Sequence, residues 1–220
     1  MAVSLNGSSQ ALSFTDSASL KATGSFTFMC WIRSTASAEQ WIAQSYAETP
    51  NLAGWFLRLK AAASYRLSFV TGNNAGGISE VVGTTSLNDS AWHHVAAVRT
   101  ASTNLAVFVD GVSENTAADQ APAYAGTSRP RIGCGNLTGA NTNFFTGQIA
   151  HVKYWNGNAL TAAQIQAEMR STLPRFYFSN LKLWLPLDNA ALPSTFPDFS
   201  QTGNTATPVN TPAMADGAPV

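Results

Sequence analysis

An antiparallel β-sandwich is the fold this sequence predicts, and three observations predict it. Short strand-like runs recur along the chain between clusters of Gly, Asn, Ser and Pro, the spacing of an all-β domain rather than of alternating strands and helices. Helical periodicity is confined to one stretch near residues 161–171. Asp-Gly and Asn-Gly pairs close β-branched runs, as two-residue hairpins require. A chain of 220 residues can bury a full core as one such domain. The expected organisation is a sandwich over residues 1–187 and a Pro/Thr/Ala-rich C-terminal tail over residues 188–220, packed partly on the domain or on a neighbour.

The clearest strand is residues 25–33, SFTFMCWIR. Phe26, Phe28, Cys30 and Ile32 share one face while Met29 and Trp31 occupy the other, so the strand is predicted to be central and covered on both sides. Residues 54–60, GWFLRLK, alternate Trp55, Leu57 and Leu59 against Phe56, Arg58 and Lys60, which gives one buried and one wetter face. The meander continues through residues 66–70 to a loop at 72–77, GNNAGG, whose residues tolerate positive φ. Residues 92–99 and 105–109 follow, and the pair Asp110-Gly111 supplies a type I′ turn, so Asp110 is read as a turn residue rather than an acid catalyst. Residues 147–155 form a later strand that ends at Asn156-Gly157.

The single helix begins with Thr161 and Gln164 in capping-box spacing and places Ala162, Ile165 and Met169 on one side. Residues 181–187 read as an edge strand interrupted by Pro186. Beyond Asp188 the chain lacks the apolar content to form a core alone, and residues 204–220 are expected to lie against a neighbouring subunit.

The chain is 45% hydrophobic and only 11% charged, with 12 basic and 12 acidic residues. Such a balance provides no long-range field toward nucleic acid or anionic lipid, so the expected partners are neutral glycans or protein surfaces. No stretch approaches 18 apolar residues and the N-terminus carries no basic-then-apolar leader, so no membrane insertion and no signal peptide are expected.

Catalysis finds little support in the spacing. A retaining glycoside hydrolase holds two carboxyls about 5 Å apart, most simply two residues apart on a strand. Glu39, Glu48, Glu80, Glu114 and Glu168 are each isolated, and no enzyme is expected. His93 and His94 point to opposite faces of their strand and cannot chelate one metal together, so His93 is read as structural, with Trp31 and Trp92. Trp31, Trp92, Phe26, Phe28 and Phe108 are assigned to the core. Cys30 and Cys134 read as two buried thiols. Sugar rings stack on aromatic faces while amides bind their hydroxyls. The candidate glycan-binding residues are accordingly Tyr46, Trp55, Asn73, Asn74, Tyr124, Asn141 and Asn143, with Tyr46 and Tyr124 in loop-like segments.

Five blocks together resemble a known family. SLNGSSQALSFTDSASL, SFTFMCWIRS, WHHVAAVRTASTNLAVFVDGV and FFTGQIAHVKYWNGNALTAAQIQAEM occur in the order of the laminin G-like, pentraxin-like branch of the concanavalin A-like lectin and glucanase superfamily. They span nearly all of residues 3–170. The fifth block, LWLPLDNAALPSTFPDFSQTG, resembles a segment that many members carry before their first strand, and here it comes last, as in laminin G-like proteins among phage structural genes. The resemblance implies a jelly-roll sandwich. In pentraxins a cysteine matching Cys30 bonds one in the strand matching residues 93–99, where this chain has Val95, Ala96 and Ala97, so Cys30 is expected to be reduced. The pentraxin calcium site needs an acidic cluster. Asp16, Asp89, Asp119, Asp188 and Asp198 are scattered, so no cofactor is indicated, and calcium would bind only if folding gathered them.

The sequence therefore ranks first a non-enzymatic structural subunit, a phage or virus-like particle surface, decoration or tail protein. It would be homo-oligomeric, contact other virion subunits, and be made in the cytoplasm without a signal peptide. The alternative is a carbohydrate-binding lectin module for adhesion to glycans.

Overall fold

The computed structural model describes residues 1–47, 53–73, 75–119, 128–136 and 140–220. In chain order the strands are β1 (Ala2–Asn6), β2 (Ala11–Ser13), β3 (Phe26–Ser34), β4 (Gln40–Ala47), β5 (Ala53–Lys60), β6 (Arg66–Asn73), β7 (Ile78–Ser86), β8 (Trp92–Thr100) and β9 (Asn104–Val109). There follow β10 (Val112–Ala118), β11 (Arg131–Ile132), β12 (Gly135–Asn136), β13 (Asn141–Thr142), β14 (Thr146–Asn156), helix α1 (Ala162–Met169), β15 (Leu181–Leu185), β16 (Thr207–Val209) and β17 (Ala213–Ala215). They build two antiparallel sheets, ordered β10-β9-β8-β3-β14-β1-β17 and β16-β2-β11-β4-β5-β6-β7, while β12 and β13 pair with each other. The long β14 keeps β3 along one side. On the other side it changes partner from β1 to β15 at an irregularity beside His151, whose φ is 50°.

The inner faces meet in one core. Phe26 and Phe28 of β3 lie 5.6 and 5.5 Å from the Trp55 ring, which stacks at 5.7 Å on Tyr154 of β14. The central position predicted for residues 25–33 follows from this packing: Phe26, Phe28, Cys30 and Ile32 face the inter-sheet core, whereas Met29 and Trp31 join separate buried clusters on the outer face. Trp92 is only half-buried, packed at the rim of the Trp31 cluster rather than in the core assigned to it, because it opens β8 where the sheet ends. Both cysteines are buried free thiols; burial raises Cys30 and pushes Cys134 up to about 12.

The Asp110-Gly111 turn has φ of 50° and 77°, and Val109 pairs with Val112 across it. These are type I′ dihedrals, which glycine adopts without strain. The Asp110 carboxylate also accepts from the His94 backbone N–H at 2.8 Å and meets His93 Nδ1 at 2.8 Å. Burial pulls the His93 pKa down, but its contacts with Asp110 and Asp89 outweigh that and raise it.

Helix α1 begins with the Thr161–Gln164 capping box that the spacing predicts. It is fastened to the outer face of the first sheet by a buried ion pair that the apolar stripe did not reveal. Lys153 Nζ donates to Glu168 Oε2 at 2.7 Å and to the Ser171 carbonyl at 2.7 Å, and Glu168 Oε1 accepts from the backbone N–H groups of Arg175 and Phe176. A second buried pair, Arg99 with Asp119, locks β8 to the end of β10 through two 2.7 Å bonds.

The C-terminal tail is part of the sandwich, which corrects the expectation that residues 204–220 lie on a neighbour. Strand β16 pairs with β2 at the margin of one sheet and β17 pairs with β1 at the margin of the other. Each satisfies backbone groups that a bare edge would leave open. Phe196 is buried and bridges Ala206, whereas Phe199 is 53% exposed against Trp184. The Asp198 carboxylate organises the turn over residues 198–204, accepting from Trp184 N, Ser200 N, Ser200 Oγ, Thr202 Oγ1 and Asn204 N.

Candidate functional site

The wetter face predicted for residues 54–60 carries the candidate site. Across the outer surface of β4, β5, β6 and β7, register brings Trp41 beside Arg58, Arg58 beside Ser68, and Phe56 beside Val70 and then Glu80. Alternation along each strand sends Trp55, Leu57, Leu59, Leu67, Phe69 and Val81 inward and leaves this second set facing out. Glu39, Trp41, Phe56, Arg58, Val70, Ile78, Glu80 and Asn143 line a depression of about 610 Å³ of empty space open to solvent.

Its floor is apolar. Trp41 stacks on Phe56 with centroids 4.0 Å apart and planes 15° from parallel, and Tyr46 meets Phe56 edge-on at 5.9 Å. Gly135 covers the Trp41 ring so closely that a Cβ there would lie 3.0 Å from it. The rings are therefore only 2% and 6% exposed and shape the floor from beneath, while Ile78, 50% exposed, offers open apolar surface.

One wall is a charge network. Arg58 donates from Nη1 to Glu39 at 2.7 Å, from Nη2 to Glu80 at 2.9 Å and from Nε to Ser68 Oγ at 3.2 Å, and its guanidinium lies 5.4 Å from the Phe56 ring centre. Lys60 Nζ and Ser68 Oγ donate to Glu80 at 2.7 and 2.6 Å. Burial alone would raise the Glu80 pKa, but bonds from Lys60, Ser68 and Arg58 outweigh it and hold the carboxyl at about 2. Folding thus gathers two of the glutamates that sequence spacing kept apart. Glu80 is held ionised by cations at neutral pH, unlike the protonated acid that glycoside hydrolysis needs.

The residues named from sequence fare unevenly. Asn143 stands exposed on the rim, its carbonyl accepting from Trp41 N at 2.9 Å. Tyr46 lies in β4 rather than in a loop and is buried under the floor. Trp55 is a correction: it faces inward and is enclosed in the inter-sheet core, so no ligand reaches it from this surface. Asn73 caps its own turn, its Oδ1 accepting from the N–H groups of Ala75 and Gly77, and Asn141 bonds Asn136 between β12 and β13. Asn74 and Tyr124 lie outside the described residues. Sequence reasoning passed over Glu39, Arg58, Ile78 and Glu80. The polar half of the GWFLRLK alternation was the available signal for Arg58, and β7 gave none.

Among the described residues no three His, Cys, Asp or Glu side chains gather as metal ligands. Asp16 is engaged by Lys21 and Ser128, Asp89 by His93 and Asp119 by Arg99.

The family described as the concanavalin A-like lectin/glucanases superfamily matches residues 6–166. No curated protein sequence matches. Among solved structures, a Bacteroides ovatus protein provisionally described as carbohydrate binding aligns at TM-score 0.68 and 17% identity, covering 96% of this chain and 60% of its own. This chain thus spans less than two thirds of that protein. The CBM40 of the Ruminococcus gnavus IT-sialidase, bound to alpha2,3 sialyllactose, aligns at 0.61 and 13% identity, covering 76% and 95%. The heptameric SAP-like pentraxin of Limulus polyphemus aligns at 0.59 and 17% identity, covering 75% and 79%. At these identities the likeness is one of fold.

Proposed function

The chain belongs to the concanavalin A-like lectin/glucanases superfamily, and from that premise we propose that it is a non-catalytic carbohydrate-binding module whose ligand sits on the outer face of β4–β7. One observation carries the reading. An open depression sets the exposed apolar surface of Ile78, beside a buried aromatic floor, against charged groups already held in fixed positions, which is the composition of a sugar site: C–H faces rest on apolar surface while preorganised polar atoms receive the hydroxyls. Fixed donors and acceptors lose little freedom on binding. The carbohydrate-binding descriptions of fold relatives support this reading over the virion one. A virion role, which the sequence ranked first, would be an additional use of such a module, with glycan adhesion as its activity.

Replacing Ile78 by Asp tests this reading, since the residue is half exposed and its loss should not disturb the core. Binding of the best oligosaccharide from a glycan panel should weaken about tenfold or more, by loss of apolar contact and addition of a charge. The melting temperature should stay unchanged. Unaltered affinity would move the site elsewhere.

A further inference from the structure

We infer that Glu39 sets the charge selectivity of this site, restricting it to uncharged sugars by occupying the guanidinium that a carboxylated sugar would need. The inference rests on the outer-face reading above. Arginine recognises a carboxylate through a fork of two parallel N–H bonds. In this depression every nitrogen of Arg58 already donates, Nη1 to Glu39, Nη2 to Glu80 and Nε to Ser68. The four charges of the wall also cancel, Arg58 and Lys60 against Glu39 and Glu80. A sialic or uronic acid carboxylate entering here would meet two carboxylates, and the cation among the described lining residues, Arg58, is already paired with both.

The two glutamates are not equivalent. Glu80 is held by three donors on β5 and β6 and is part of the wall. Glu39 precedes β4, is the more exposed of the two at 31% of its side chain, and meets Arg58 through one bond. Removing its charge would release Nη1 on the open side and leave the wall with an excess positive charge, while Glu80, Lys60 and the aromatic floor stay in place.

The experiment is calorimetric titration of wild type, Glu39→Gln and Glu39→Asp with neutral probes (arabinotriose, lactose, cellotriose) and acidic ones (sialyllactose, trigalacturonate), with melting curves to verify folding. Wild type and Glu39→Asp should favour a neutral probe. Glu39→Gln should gain about tenfold or more for an acidic probe, the effect of one charge-assisted bond, and its acidic-to-neutral affinity ratio should rise by at least as much. Wild-type binding of an acidic probe as tight as the best neutral one overturns the inference, though the site would stand. So does loss of neutral affinity in Glu39→Gln without an acidic gain, which would make Glu39 a hydroxyl ligand. If no probe of either charge binds, the outer-face reading fails and the selectivity with it.

Discussion

Replacing Glu168 by Ala should cost about 3–5 kcal/mol of stability, the range for removing one partner of a buried ion pair. Lys153 and Glu168 side chains are 2% and 0% exposed. The variant would leave an ammonium in the interior with only two backbone carbonyls, and would strip the Arg175 and Phe176 N–H groups of their acceptor. The pH dependence follows in sign. Burial already lowers the Lys153 pKa, with Glu168 opposing the shift; without Glu168 it falls further, well below its unfolded value. The unfolded chain then binds more protons than the folded one, so stability rises with pH across that window. Denaturant melts should show the deficit of Glu168→Ala narrowing from pH 7 to pH 9. A deficit below about 1 kcal/mol, the level of an exposed pair, would mean that the pair is solvated and α1 is not anchored through it.

Ending the chain after Asn204 should also destabilise the domain severely. The truncation removes β16, β17 and Ala206, opening the margins of both sheets at β2 and β1 and removing the bridge that seats Phe196. At about 1 kcal/mol per backbone hydrogen bond, and with newly exposed apolar surface added, the loss is roughly 3 kcal/mol or more. Early melting of the truncated chain is the expected result. A truncated chain that melts like the full one would show that the tail is held by something other than its own domain.

The sandwich was legible because its signals are local. Phe26 to Ile32 alternate over a full strand, Asp110-Gly111 states its own turn type, and Thr161 with Gln164 caps α1 as their spacing predicts. The tail escaped because β16 and β17 are three residues each, too short for period-two alternation to appear. Strand β4 escaped for a related reason: a register shift between Trp41 and Ala43 breaks the alternation of QWIAQSYA, so Tyr46 read as loop. The site was half legible. Arg58 stood on the predicted polar face of β5, but its partners come from before β4 and from β7, and only pairing register brings 39, 58 and 80 together. Trp55 was misplaced although its alternation already set it with Leu57 and Leu59 on the buried face of β5: it was chosen for its ring alone, and a core tryptophan has the same ring. Register also brings together Glu39, before β4, and Glu80 of β7, which spacing along one strand does not show.

The central claim is that a sugar binds the outer face of β4–β7. Its most direct test is a titration of isotope-labelled protein with the tightest neutral oligosaccharide, followed by backbone and side-chain NMR shifts. The account predicts saturating shifts grouped at Trp41, Phe56, Arg58 Nε, Ile78, Glu80 and Asn143, with the first sheet unmoved. Saturable shifts grouped instead around α1, the Asp198 turn or the β9–β10 hairpin, with these residues silent, would contradict it.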